Sequence, residues 1–251
     1  MLVSMPHIGT EIPLELQGDY EPRALDVEDT DWHLARLYDF LRAMGISVLQ
    51  PRYSRYVIDL NRPPDDAPMY PSAANTELCP THFFTGEALY KPGQEPSPQE
   101  VQRRRTIYWQ PYHDALAAEL ARIKAAHGFA LLWDAHSIRS HIPWLFEGQL
   151  PDLNIGTASG AAAATAISDA AASAVDGFTH VVNGRFKGGY ITRHYGQPAS
   201  QVHAIQLEKC QNLYMQETPP YSYDEALALN LQPTLKRMVQ ASLQAVKALY
   251  A

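Results

Sequence analysis

The chain has few of the features that mark secreted, disulfide-stabilised or membrane-bound proteins. Its 251 residues include only two cysteines, Cys79 and Cys210, which lie far apart and form no CxxC spacing. Neither a disulfide framework nor a thiolate zinc site is therefore indicated, and a reducing compartment is expected. No segment approaches the roughly 20 apolar residues of a membrane span, and no basic stretch precedes an apolar one at the start. We expect a cytoplasmic protein that does not enter a membrane.

Positive charge is also scarce. The chain has 20 Lys and Arg residues against 27 Asp and Glu, which gives a formal charge of −7. Such a surface repels a polyanion, so nucleic acid is not an expected partner. The one basic cluster, at residues 103–105, sits inside a helical pattern and is interpreted as a solvated face.

Apolar side chains, by contrast, are plentiful. Hydrophobic residues make up 46% of the chain and charged residues 19%, which is enough for a sizeable core in a single domain over residues 1–251. Strand and helix patterns alternate, and a proline-rich stretch at 63–98 is predicted to be irregular. Strands are predicted at 2–5, 46–50, 55–60, 129–137, 179–183 and 202–208, and helices at 31–44, 98–127, 158–175 and 224–249. This order predicts an α/β fold with a largely parallel sheet flanked by helices.

Two histidines stand where a strand pattern gives way to a loop. His7 follows the first strand and His136 lies near the end of 129–137, and such strand ends line active sites in open α/β sheets. Hydrolytic zinc sites take three His or carboxylate ligands and leave one position for water. The third ligand is open between Asp31, Glu11 and Asp134. Asp134 shares a strand face with His136, so it is alternatively placed to orient that histidine.

One acid and several arginines suit the other tasks of a hydrolase, which are proton transfer and substrate binding. Glu208 ends the strand at 202–208, where it is either a solvated acid or a base that takes a proton from water. Arginine binds both oxygens of a carboxylate, and Arg55, Arg62 and Arg193 lie at junctions of strands and loops. No serine lies in a G-x-S-x-G elbow, so a serine hydrolase is disfavoured.

Several ordered motifs together resemble the N-formylglutamate amidohydrolase family across nearly the whole chain. They are SMPHIGTEIP at 4–13, DTDWHLARLY at 29–38, SRYVIDLNRP at 54–63, WDAHSIRS at 133–140, GGYITRHYG at 188–196 and HAIQLEKCQNLYM at 203–215. The resemblance implies a fold similar to the zinc carboxypeptidases (phosphorylase/hydrolase-like), with a metal at the sheet edge. It also implies hydrolysis of N-formyl-L-glutamate to formate and L-glutamate in histidine degradation.

The resemblance also assigns roles to individual residues. His7 and His136 are similar to metal ligands, Glu208 to the base, and Asp31 is the preferred acid ligand. The His-x-x-Glu spacing of carboxypeptidases is absent, since Glu11 stands four places after His7. The expected cofactor is a divalent metal, with zinc favoured over cobalt or another ion.

The residues that the resemblance assigns to substrate binding are polar or basic. The pair Asn61-Arg62 is similar to the carboxypeptidase pair that holds a substrate carboxylate, and Arg193 and Arg55 are further candidates for a dicarboxylate. We expect a monomer or small homo-oligomer acting on a small molecule. Two alternatives stay open: a metal-dependent deacylase of another N-acyl amino acid, and a non-catalytic ligand-binding relative.

Overall fold

A six-stranded sheet forms the centre of the computed structural model, which describes residues 1–69 and 76–251. The strand order is β2-β1-β3-β6-β4-β5, and neighbours are parallel except β4 and β6. The strands are β1 Leu2–Ser4, β2 Ser47–Leu49, β3 Ala130–Ile138, β4 Leu153–Gly156, β5 His180–Val182 and β6 Val202–Cys210. The prediction of an α/β fold with a mixed, largely parallel sheet is confirmed.

Both faces of the sheet carry helices, as the continuous apolar runs of β3 and β6 require for strands buried on both sides. On one face Leu131 and Trp133 join a core with α6 and α8, and on the other Leu132 packs with α5. The helices are α1 Leu14–Gln17, α2 Leu34–Leu37, α3 Phe40–Ala43, α4 Pro98–Arg104, α5 Gln110–His127, α6 Thr165–Ser173, α7 Tyr190–Tyr195 and α8 Glu225–Leu249. Short 3₁₀ turns cover Pro22–Asp26, Pro198–Ser200 and Gln211–Leu213.

The long helix predicted over 98–127 is present, with a widened turn inside it. Ser97 caps its start by accepting a hydrogen bond from the Glu100 N–H, and Gly128 ends it in the left-handed conformation. A π turn at Arg105–Trp109 joins α4 to α5. Pro111 has no N–H for the carbonyl four residues earlier, and the wider turn accommodates that missing bond.

Other boundaries differ from the prediction. The predicted strand at 55–60 is wrong, because this segment is a buried turn in which the Asp59 side chain accepts the Asn61 N–H. The predicted helix at 31–44 breaks into α2 and α3, and the one at 158–175 shortens to α6. Strand β4 and helix α7 were not predicted. Across the described parts of the chain, no helix is long and apolar enough to cross a membrane.

Candidate metal centre

Four chain segments meet at the carboxyl ends of the central strands. His136 on β3 and Glu208 on β6 are register partners, and β1 ends at Ser4, three residues before His7. Asp31 comes from the loop before α2, where its N–H donates to the His7 carbonyl and its Oδ2 accepts the Ser137 N–H. The topology thus brings residues distant in sequence to one edge of the sheet.

His7, Asp31 and His136 form a compact buried triangle. The Nδ1 atoms of the two histidines lie 3.2 Å apart, and Asp31 Oδ2 lies 3.3 Å from His136 Nδ1 and 3.7 Å from His7 Nδ1. A tetrahedral zinc ion with bonds of about 2.0–2.1 Å separates its ligand atoms by about 3.3 Å. The triangle therefore fits a divalent cation bound by two imidazoles and one carboxylate.

Each histidine is held from behind by a buried acid. Asp59 Oδ1 lies 2.7 Å from His7 Nε2, and Asp134 Oδ2 lies 3.2 Å from His136 Nε2. When Nε2–H donates to the carboxylate, the lone pair of Nδ1 faces the centre of the triangle, which is the tautomer a metal ligand needs. The Asn61 Nδ2 atom also lies 3.1 Å from His136 Nε2.

The buried guanidinium of Arg55 balances part of the negative charge of these acids. The Arg55 guanidinium donates to Asp59 Oδ2 at 2.7 Å and lies 3.8 Å from Asp31 Oδ1. The central carbon of the guanidinium also lies over the Phe84 ring, 4.6 Å from its centroid. Arg55 therefore links one acid of the triangle to the acid behind His7.

Burial and neighbouring charges alter the pKa values at this edge. Burial lowers the pKa of His136, but the charge and hydrogen bond of Asp134, together with Asp31, raise it to about 10. Burial raises the pKa of Asp31, yet its contacts with the two imidazoles outweigh this and hold it below the usual range. Burial raises the pKa of Glu208 to about 7, a value suited to a general base near neutral pH.

A pocket opens directly over the triangle. Glu208 lines it, and within the described residues the Glu208 carboxylate makes no hydrogen bond to the protein. Arg62 and Arg185 line the same pocket, where Arg62 donates to Thr76 and Arg185 donates to the Leu145 carbonyl. The site therefore combines a group of side chains that could hold a cation, a carboxylate that could act as a base, and basic side chains around one small space.

Of the other residues predicted from the sequence, some line this pocket and others lie outside it. Asn61 lines the pocket, but its Oδ1 accepts the Ile191 N–H, so this side chain also ties α7 to the site. Glu11 lies outside the pocket in a surface ion pair with Arg52, 2.7 Å away. Arg193 lines a separate depression on the outer side of α7 and donates to the Gly188 carbonyl.

Sequence reasoning missed Asp59, Arg185 and Gly189. Asp59 stands two residues before Asn61 in a segment that was predicted to be a strand, so its side chain was not considered. Gly189 lies against Asn61, where a Cβ atom would come within 2.2 Å of the Asn61 Nδ2 atom. A glycine at this position thus allows Asn61 to approach the backbone closely.

Comparison with known proteins shows the family of this chain. A model of the N-formylglutamate amidohydrolase family matches residues 1–215. The chain belongs to this family. Within it, proteins named N-formylglutamate deformylase from Pseudomonas aeruginosa and Pseudomonas putida are each 49% identical over 246 residues, covering 97% of this chain and 92% of each relative.

Solved structures share the family fold. The crystal structure of an N-formylglutamate amidohydrolase from Ralstonia eutropha superposes with a TM-score of 0.80 at 23% identity, covering 96% of this chain and 92% of that one. A gene product of Agrobacterium tumefaciens gives a TM-score of 0.70 at 19% identity, covering 96% and 89%. At these identities the two structures support the fold alone.

Proposed function

We propose that this chain hydrolyses N-formyl-L-glutamate to formate and L-glutamate, with a divalent cation held by His7, Asp31 and His136. The observation that carries the proposal is the buried triangle of candidate ligand atoms, 3.2–3.7 Å apart, beside the Glu208 carboxylate in a pocket lined by arginines. The 49% identity to two proteins named N-formylglutamate deformylase supports the choice of substrate.

The chemistry divides between the cation and Glu208. A bound divalent cation lowers the pKa of water and polarises a carbonyl oxygen. Glu208 takes a proton from the attacking water and then delivers it to the nitrogen of the breaking amide bond, so that glutamate leaves as an amine. Its place in the pocket, beside His136 in register, supports this role.

Recognition of the substrate's two carboxylates rests on the arginines of the pocket. We assign them to Arg62 and Arg185, since both line the pocket and a guanidinium matches a carboxylate with paired donors. Arg55 is engaged by Asp59 and supplies positive charge at the pocket floor. Arg193, on the outer side of α7, is not part of this assignment.

Zinc is the cation we propose, because two imidazoles and one carboxylate with an open position are typical of hydrolytic zinc sites. We also propose that the enzyme works in the cytoplasm, which agrees with the buried, unpaired thiols of Cys79 and Cys210.

The test is formate release from N-formyl-L-glutamate by purified protein, measured as isolated, after chelation and after addition of zinc, cobalt or manganese. We expect chelation to abolish turnover and one of these ions to restore it. A panel with N-formyl-L-aspartate, N-formyl-L-glutamine and N-acetyl-L-glutamate separates a deformylase from a general deacylase. Full activity in protein shown to be free of metal would contradict the cation, and no formate release with any ion would contradict the reaction.

A further inference from the structure

Asn154 on β4 carries a buried polar atom that has no hydrogen-bond partner in the described part of the chain. Its side chain is fully buried, and its Nδ2 donates to the Pro151 carbonyl at 2.8 Å and lies 3.4 Å from the Glu208 carbonyl. These two acceptors fix the orientation of the amide, so Oδ1 faces away from them. Among the side-chain polar atoms of the described residues that solvent does not reach, Asn154 Oδ1 alone has no hydrogen-bond partner. The Glu208 carboxylate differs because it lines the pocket.

The position of Asn154 relates it directly to Glu208. The two residues are register partners on the antiparallel strands β4 and β6, so their side chains leave the sheet on the same face. Directly opposed residues of this kind have Cβ atoms about 4.5–5.5 Å apart. Leu153 and Ile155, on either side of Asn154, face the core on the other side of the sheet.

An unpaired buried acceptor costs free energy, so each such atom in a native protein needs an explanation, and a catalytic role is one of them. The ionised Glu208 carboxylate has only acceptors and offers nothing to Asn154 Oδ1. Once Glu208 has taken a proton from water, its carboxyl group carries an O–H donor that needs an acceptor. Asn154 Oδ1 is an acceptor of this kind at the neighbouring position.

We infer that Asn154 is a positioning residue for Glu208, and that its Oδ1 accepts the hydrogen bond of the protonated Glu208 carboxyl group. This inference rests on the proposed function. The proton balance is unchanged by it: one proton leaves the attacking water, resides on Glu208 and passes to the leaving nitrogen, while Asn154 only holds the carboxyl group in place.

The test compares Asn154→Leu and Asn154→Ala with the wild-type holoenzyme. Both variants remove Oδ1. Leucine keeps about the same side-chain volume, whereas alanine reduces it. We expect kcat for N-formyl-L-glutamate to fall about 10- to 100-fold, as for the loss of a hydrogen bond to a catalytic group, with KM within about twofold. Ile155→Val is the matched control, since it loosens the same strand from its other face; its melting temperature should fall slightly and its kcat should not.

A double-mutant cycle separates this inference from general damage. If Asn154 acts through Glu208, Asn154→Leu has no further effect on the residual turnover of Glu208→Gln. An unchanged kcat in both Asn154 variants, or an equal loss in the Glu208→Gln background, would overturn the inference while leaving the reaction intact. Absence of formate release by the wild-type protein would instead overturn the proposed function.

Discussion

Replacing Asp59 by Asn probes how the acid behind His7 contributes to cation binding. Asp59 is fully buried and accepts hydrogen bonds from His7 Nε2 at 2.7 Å, from the Asn61 N–H at 2.8 Å and from Arg55 at 2.7 Å. Asparagine keeps the volume and one oxygen for His7, but it removes the negative charge and turns an N–H₂ group towards Arg55.

The expected loss follows from these contacts. A hydrogen bond to a charged group contributes about 1.5–3 kcal/mol and a neutral one about 0.5–1.5 kcal/mol, so His7 becomes a poorer ligand by about 1–1.5 kcal/mol. This difference corresponds to a loss of affinity of about 5- to 13-fold, at the lower end of the roughly 10- to 100-fold loss that is typical when the carboxylate behind a ligating histidine is removed. The Arg55 guanidinium also loses its closest acid, so the melting temperature of the metal-free variant should fall as well.

Competition with a chromophoric chelator measures the cation affinity, and thermal unfolding of the chelated protein measures stability separately. Glu225→Gln is the matched control, because Glu225 also pairs with an arginine but its side chain is 65% exposed. We expect the control to leave both quantities unchanged. An affinity of Asp59→Asn within about twofold of wild type would refute the role assigned to Asp59.

Three further predictions concern the same pocket. Glu208→Gln should lower kcat about 10²- to 10⁴-fold without loss of bound metal. Formate release measures kcat and metal analysis measures the bound ion. Retained turnover would exclude Glu208 as the base. Arg185→Met should raise KM for N-formyl-L-glutamate about 10-fold or more and change kcat less, and an unchanged KM would remove Arg185 from the carboxylate site. Because the pKa of His136 is raised to about 10, this histidine is protonated at neutral pH in the metal-free protein, and a cation must displace its proton. The apparent cation affinity should therefore rise about tenfold per pH unit between about pH 6 and 8, and an affinity independent of pH would contradict this.

The strand-end residues could be placed from the sequence because parallel strands share one edge. Apolar runs ending in His7, His136 and Glu208 predicted residues at the carboxyl ends of three strands, and the structure brings all three to one pocket. Asp31 was one of three candidate acids on the residues alone, and only the family resemblance favoured it, since nothing in its predicted helix indicated that a loop would turn it towards His7.

The positions of residues in loops and turns could not be predicted from sequence patterns. Arg55, Asp59 and Asn61 lie around the short apolar run at 56–58, which equally suits a strand and a buried turn. The turn forms because side chains such as Asp59 bond the local backbone. Arg185 and Arg193 both lie near glycines of the loop after β5, and only the path of the chain decides which one lines the pocket.

The pKa pattern explains how so many acids are tolerated in one buried place. Asp31, Asp59 and Asp134 are each almost fully buried around two imidazoles, and isolated carboxylates would be expensive to bury. In the metal-free protein the proton on His136 supplies positive charge between Asp31 and Asp134, and Arg55 supplies it beside Asp59. A divalent cation at the triangle would replace the proton and add one further charge. The candidate ligand set is therefore already assembled without a cation, because the charges of His136 and Arg55 offset those of the acids around them.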